Sequence, residues 1–211
     1  MKGAVFDMDG LMFDTERLWQ EEWKKEAEKM GIVLDPVFCK EITGTSGDLM
    51  LNIIAKYYNS EDPQRIADAV RCAVEDDLKR ELPEKLGLHE ILDHLQKKGY
   101  HIAVASSSPL DLIRDNLQRV GISGYFEAVC CGQDVKHGKP APDLFLLAVE
   151  RLGLKPEECY VFEDAYNGIR AAYAANCHPI MVPDTQAPTA EMEEKADHIC
   201  RSLIEAIQYI A

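Results

Sequence analysis

Ala4, Val5 and Phe6 form a short apolar run that stops abruptly at Asp7. A run of that length, bounded by acids and by Gly10, predicts a buried strand. From 16 to about 81 the pattern changes to a helical period. Trp19, Trp23, Ala27 and Met30 make one stripe, with Gly31 as its stop; Leu49, Ile53 and Tyr57 make a second; Ile66, Val70, Val74 and Leu78 make a third. The positions between them are strongly charged, which predicts a small helical lobe whose stripes form its own core. The texture changes again near Leu82 and Pro83. A helix over 88–98 carries Leu88, Ile91, Leu92 and Leu95, and Lys97, Lys98 and Gly99 give it a C-terminal signature.

Beyond that helix, strands and helices alternate. His101 to Ala105 predicts a strand ending in Ser106, Ser107 and Ser108. The next helix has Ser108 as expected N-cap, Pro109 at its first position, and the stripe Leu112, Ile113, Leu117 and Val120. Strands are expected over 128–131, 159–162 and 178–182, with a weak one near 197–200. Helices are expected over 142–152, 165–176 and around Leu203, Ile207 and Ile210. Alternation at this spacing predicts an α/β fold, a doubly wound parallel sheet with helices on both faces. The expected division is 1–14 with 83–211 for the α/β core and 15–82 for the inserted helical domain.

Composition narrows the function classes. Across 211 residues, 23 Lys and Arg face 37 Asp and Glu, a formal charge of -14. Such a balance disfavours nucleic-acid and anionic-membrane partners, which need a basic surface. It leaves a phosphate substrate open, because a bound cation and a lysine can invert the local field. The seven cysteines are odd in number and show no CxxC spacing, and no secretory leader is expected ahead of them. Reduced thiols in a cytoplasmic protein are expected, without structural zinc. No sustained apolar repeat lacks a core role, so a monomer is expected.

In a parallel sheet, ligands bind beyond the carboxyl ends of the strands. The first strand ends in Asp7 and Asp9, the second in Ser106, the fourth in Glu163 and Asp164, and the loop after the third carries Lys139. Their meeting on one sheet edge is the signal. A strand-end carboxylate can attack phosphorus once a cation offsets the repulsion between the two anions, and Mg²⁺ prefers such oxygen ligands. Asp7 and Asp164 suit that ion; Glu163 is either a further ligand or the acid that orients its neighbour. Asp9 can protonate a departing alkoxide and later deprotonate water. Ser106 can donate to a phosphoryl oxygen, aided by backbone N–H groups at the following helix start, and Lys139 can offset charge on the phosphoryl group and on Asp7. Asp143 reads as a helix-start acid that complements the dipole.

DMDGLMFDT at 7–15, the strand-ending Ser106, KPAPD at 139–143, and Glu163 and Asp164 followed by Gly168 together resemble the four motifs of the haloacid-dehalogenase superfamily. The helical insert resembles the cap of its β-phosphoglucomutase-like branch, and the match covers the whole chain. The resemblance implies a Rossmann-like core and a phospho-aspartyl intermediate on Asp7 with Asp9 as general acid/base. It implies Mg²⁺ held by Asp7, the Asp9 backbone carbonyl, Asp164 and, directly or through water, Glu163, with Ser106, Ser107 and Lys139 at the phosphoryl group. It also implies a cap that opens and closes about linkers near Asp14 and Thr15 and near Leu82 and Pro83.

Two cap positions depart from the mutase pattern. Trp19 stands where mutases carry a histidine. Gly47, in the loop Gly44, Thr45, Ser46, Gly47 and Asp48, stands where they carry an arginine that grips a second phosphate. Trp19 and Gly47 therefore mark the expected substrate-facing part of the cap, and Trp23 is open to either a pocket or a core role. The expected activity is a phosphatase acting on a small phosphorylated metabolite such as a sugar phosphate. A phosphosugar mutase is the alternative, with Lys56, Arg65, Lys79 or Arg80 as replacement phosphate grips, and a non-catalytic binding module ranks third.

Overall fold

Six parallel strands carry the architecture: β1 Gly3–Phe6, β2 His101–Ser106, β3 Ala128–Cys131, β4 Cys159–Glu163, β5 His178–Met181 and β6 His198–Ile199, in the order β3-β2-β1-β4-β5-β6. They belong to a computed structural model that describes residues 2–42, 45 and 47–210. This is the doubly wound Rossmann-like order, with its switch point between β1 and β4. Register is continuous there: Phe6 lies beside Val104 on one side and Phe162 on the other.

Side-chain alternation assigns the two faces. Val5, Ala103, Ala105, Cys130 and Val161 pack with Phe145 and Ala148 of α7, Asp143–Arg151, and with Ala171 and Ala172 of the helix Tyr166–Ala174. Ala4, Phe6, Ile102, Val104 and Phe162 alternate with them and are also fully buried; the rings of Phe6 and Phe162 stack at 4.5 Å. The helix Leu88–Lys97 lies against β2. Both faces are covered, which is why the strands read as continuous apolar runs.

The chain divides into two compact units, 1–14 with 84–211, and 15–83. The second holds the four helices Thr15–Lys29, Pro36–Ile42, Gly47–Tyr58 and Pro63–Arg80. Its core gathers Trp23, Phe38, Ile54, Tyr58, Ile66, Val70 and Val74, and the Tyr58 hydroxyl donates to the Trp23 carbonyl at 2.6 Å. Trp23 is thus a core residue, and Trp19 packs partly buried beside it with ring centroids 6.3 Å apart.

Two expected stripe positions of the helical unit differ. Met30 falls one residue past its helix and is 39% exposed, while Leu49 is 60% exposed because its helix turns Ile53, Ile54 and Tyr58 to the core. Among the described residues no helix is long and apolar enough to cross a membrane, and no disulfide forms.

The helix after β2 starts one residue later than expected. It is α6, Leu110–Arg119, with Pro109 as N-cap and no side-chain cap. Ser108, one residue ahead of that cap, does not fill the capping position expected for it. Leu112 is correspondingly 42% exposed, and the buried face is Ile113, Asn116 and Leu117.

Candidate active site

Backbone hydrogen bonds carry the strand edges one step beyond the strands. The Asp7 N–H donates to the Phe162 carbonyl at 3.0 Å, and the Val182 N–H donates to the Glu163 carbonyl at 2.8 Å. Two carboxylates are thereby held on neighbouring strands at the switch point. Gly10 turns the chain sharply after Asp9 with φ at +81°, a left-handed conformation that favours glycine. A Cβ at Gly10 would overlap the Asp164 carboxylate. The glycine therefore supplies both the turn and the room for an acid.

Lys139 ties three strand ends together. Its Nζ donates to Asp7 Oδ1, to Glu163 Oε1 at 2.8 Å and to the Ala105 carbonyl at 3.2 Å, and lies 4.8 Å from the centroid of the Phe145 ring. The Lys139–Pro140 peptide is cis. Glu163 uses its other oxygen to accept from the Ala165 N–H at 2.8 Å. Both of its oxygens are thus engaged, which favours the orienting role left open for it. Its partner is Lys139, whereas the expectation was the neighbouring acid.

Asp7, Glu163 and Asp164 each bring a carboxylate oxygen within 4.8 Å of the others. With Asp9, four acids face one lysine. Burial pushes Asp7 up to about 7, against the pull of Lys139 and with a further push from Glu163 and Asp9. Burial likewise raises Asp9, and burial with Glu163 and Asp7 raises Asp164 well above the carboxylate range. Such a cluster lacks positive charge. An all-oxygen donor set with excess negative charge fits a hard divalent cation.

The expected residues divide as follows. Asp7, Asp9, Ser106, Lys139, Glu163 and Asp164 converge on one edge. Ser106 is buried and its Oγ accepts from the Ser108 N–H at 3.1 Å, while Ser107 beside it is exposed. Asp143 heads α7 and pairs with His137 at 3.1 Å. Trp19 and Gly47 belong to the helical unit: Trp19 packs on its core, and Gly47 opens the helix Gly47–Tyr58. Of the loop leading into that helix, Thr43, Gly44 and Ser46 lie outside the described residues.

The residue profile of haloacid dehalogenase-like hydrolases matches residues 4–182, spanning every strand-end motif just described. The chain belongs to this family. A phosphorylated carbohydrates phosphatase of Thermotoga maritima is 32% identical over 184 residues, covering 85% of this chain and 84% of that protein. Fructose-1-phosphate phosphatase YqaB of Escherichia coli is 33% identical over 189 residues, covering 85% and 95%. The crystal structure of a β-phosphoglucomutase from Clostridium difficile aligns with a TM-score of 0.71 at 26% identity, covering 99% and 96%.

Two parts of the site were not singled out from sequence. Ser108 donates to Asp9 Oδ2 at 2.7 Å, and the run of three serines was the available signal. Lys85 bridges Asp14, at 3.1 Å, and Asp184, tying both chain crossings of the α/β unit to the loop after β5. Nothing local to Lys85 marks it.

Gly168 yields a prediction. A Cβ there would overlap the Glu163 carboxylate. Alanine is intrinsically about 1 kcal/mol better than glycine inside a helix, but overpacking costs about 1–3 kcal/mol. Gly168→Ala is therefore expected to lower the melting temperature and to reduce turnover about 10²-fold by displacing Glu163 and hence Lys139. Thermal melts and steady-state kinetics check this; a stabilised, active variant would show that Glu163 has room to move.

Proposed function

We propose that this chain is a Mg²⁺-dependent phosphatase that hydrolyses a small phosphate monoester, a sugar phosphate or a related metabolite. The observation that carries the reading is the buried group of Asp7, Glu163 and Asp164 with Lys139 bonded to two of the three. In this reading an Asp7 oxygen attacks phosphorus and the bond to the leaving oxygen breaks, with Asp9 giving that oxygen its proton. Water then attacks the phospho-aspartyl phosphorus, Asp9 accepts the water's proton, and Asp7 is released with inorganic phosphate. Ser106 and Lys139 bind the phosphoryl oxygens.

Asp7 and Asp164, with the Asp9 carbonyl, would hold Mg²⁺; Glu163 is engaged by Lys139 and Ala165 and would reach it through water. The ion supplies charge neutralisation for two anions brought together. The inserted helical unit acts as the cap that selects the substrate.

Hydrolysis is favoured over phosphoryl transfer within a bisphosphate by the helical unit's cations. Lys56 pairs with Glu41 at 3.0 Å, Lys79 with Asp76 and Arg80 with Asp77, and these three and Arg65 are all exposed. None replaces the expected arginine as a buried phosphate grip. The names of the two relatives point the same way, and the mutase structure keeps the alternative in the test. Wild-type protein with Mg²⁺ is expected to release inorganic phosphate from sugar phosphates, and to lose this reversibly with a chelator. Isomerisation dominating in the presence of a bisphosphate activator would overturn the reading.

A further inference from the structure

We propose that Ser108 is a positioning residue for Asp9: its hydroxyl holds the acid/base carboxylate by one oxygen and leaves Ser106 free to turn to the phosphoryl group. The inference rests on the reading of Asp9 as general acid/base.

Three distances carry it. Ser108 Oγ donates to Asp9 Oδ2 at 2.7 Å, a well-formed O–H···O hydrogen bond. Ser106 Oγ stands 3.5 Å from the same oxygen, at the limit of a hydrogen bond. The Ser108 N–H donates to Ser106 Oγ at 3.1 Å, so Ser106 is held by an acceptor lone pair while its own proton stays available. One residue thus fixes two others through separate groups, its hydroxyl on Asp9 and its amide on Ser106.

Local structure agrees. Ser108 directly precedes Pro109, the N-cap of the helix Leu110–Arg119, and so stands one residue outside the capping position. That helix has no side-chain cap. The hydroxyl is directed across to Asp9, ninety-nine positions away in sequence. Ser107 between the two is exposed, so the division of labour falls to alternate serines.

The chemical consequence is specific. Protonating the leaving oxygen matters for an alkyl phosphate and little for p-nitrophenyl phosphate, whose phenolate leaves without help. kcat/KM reports the steps up to phospho-enzyme formation and so isolates the acid role. Loss of a phosphate-binding group would lower both substrates alike. Loss of an Asp9-positioning group lowers the alkyl substrate selectively.

The test measures the ratio of kcat/KM for a sugar phosphate to that for p-nitrophenyl phosphate in wild type, Ser108→Ala, Ser108→Val, Ser108→Thr and Asp9→Asn. The ratio is expected to fall about tenfold in the Ala and Val variants, part of the 10²–10⁴ that general acid catalysis supplies. It is expected to return to within about twofold of wild type in Thr, which matches Val in shape and keeps the hydroxyl, and to fall further in Asp9→Asn. An unchanged ratio in Ala and Val, or an equal fall in Val and Thr, would overturn the Ser108 role while the Asp9 result stands. A wild type that cleaves neither ester would instead overturn the phosphatase reading itself.

Discussion

Replacing Asp7 by Asn is expected to lower kcat/KM by about 10⁴-fold or more, because the attacking oxygen is lost and no neighbouring group takes its place. The same change is expected to stabilise the metal-free fold at alkaline pH. Burial outweighs Lys139 and raises Asp7 from 3.8 to about 7. A carboxyl whose folded value is raised contributes stability below its unfolded value, and that contribution is lost as pH rises through the folded one. Metal-free wild type should therefore lose stability from this group between about pH 4 and pH 7. The neutral Asn escapes the loss and leaves Lys139 bonded to Glu163. Melting curves in chelator should show the variant ahead at pH 8, with the gap closing as pH falls. A variant that melts lower than wild type at pH 8 would mean that the Lys139 pair outweighs the burial of the charge.

Replacing Lys139 by Met is expected to be the most damaging single change to the fold. Lys139 is the one cation bonded to the acid cluster among the described residues, and its side chain is 9% exposed. Its removal leaves the Asp7 and Glu163 carboxylates buried without their counter-charge, a situation that typically costs about 3–5 kcal/mol. The Phe145 ring and the Ala105 carbonyl also lose their contact with it. Because unpartnered acids can take up protons, the destabilisation should shrink as pH falls. Saturating Mg²⁺ should recover part of it by binding the folded state alone. Denaturant titrations at pH 5 and pH 8, with and without Mg²⁺, read all of these directions. A loss independent of pH would assign Lys139 a packing role only.

The strand-end residues were legible because a parallel sheet converts sequence order into spatial order. Once Ala4–Phe6, His101–Ala105 and the run from Cys159 are read as strands, Asp7, Ser106 and Glu163 must share an edge. The helical unit was legible as helices and less so in detail. The stripe drawn from Leu49 places Ile53 and Tyr57 at the core but not Leu49 itself, because five apolar residues in Leu49–Ile54 offer two registers, and packing against Trp23 and Phe38 decides between them. Ser108 departs from the local expectation because Pro109 takes the N-cap position and the Ser108 hydroxyl bonds to Asp9 across the sheet edge. Glu163 followed the same logic, since its partner Lys139 arrives from a loop that sequence distance does not reveal. Gly10 and Gly168 are recognisable as glycines, yet the carboxylates that fill the space beside them appear only in three dimensions.

Turnover in the proposed mechanism passes through a covalent phosphoryl group on Asp7. The most direct measurement is borohydride trapping, which reduces an acyl phosphate to an alcohol, followed by peptide mass spectrometry. Asp9→Asn with p-nitrophenyl phosphate is the form to use, since the first step needs little acid assistance and the second lacks its base. Homoserine is expected at position 7, dependent on substrate and absent when Asp7 is also replaced by Asn. Reduction at another carboxylate, or none at position 7 while p-nitrophenol is released in a burst, would contradict it.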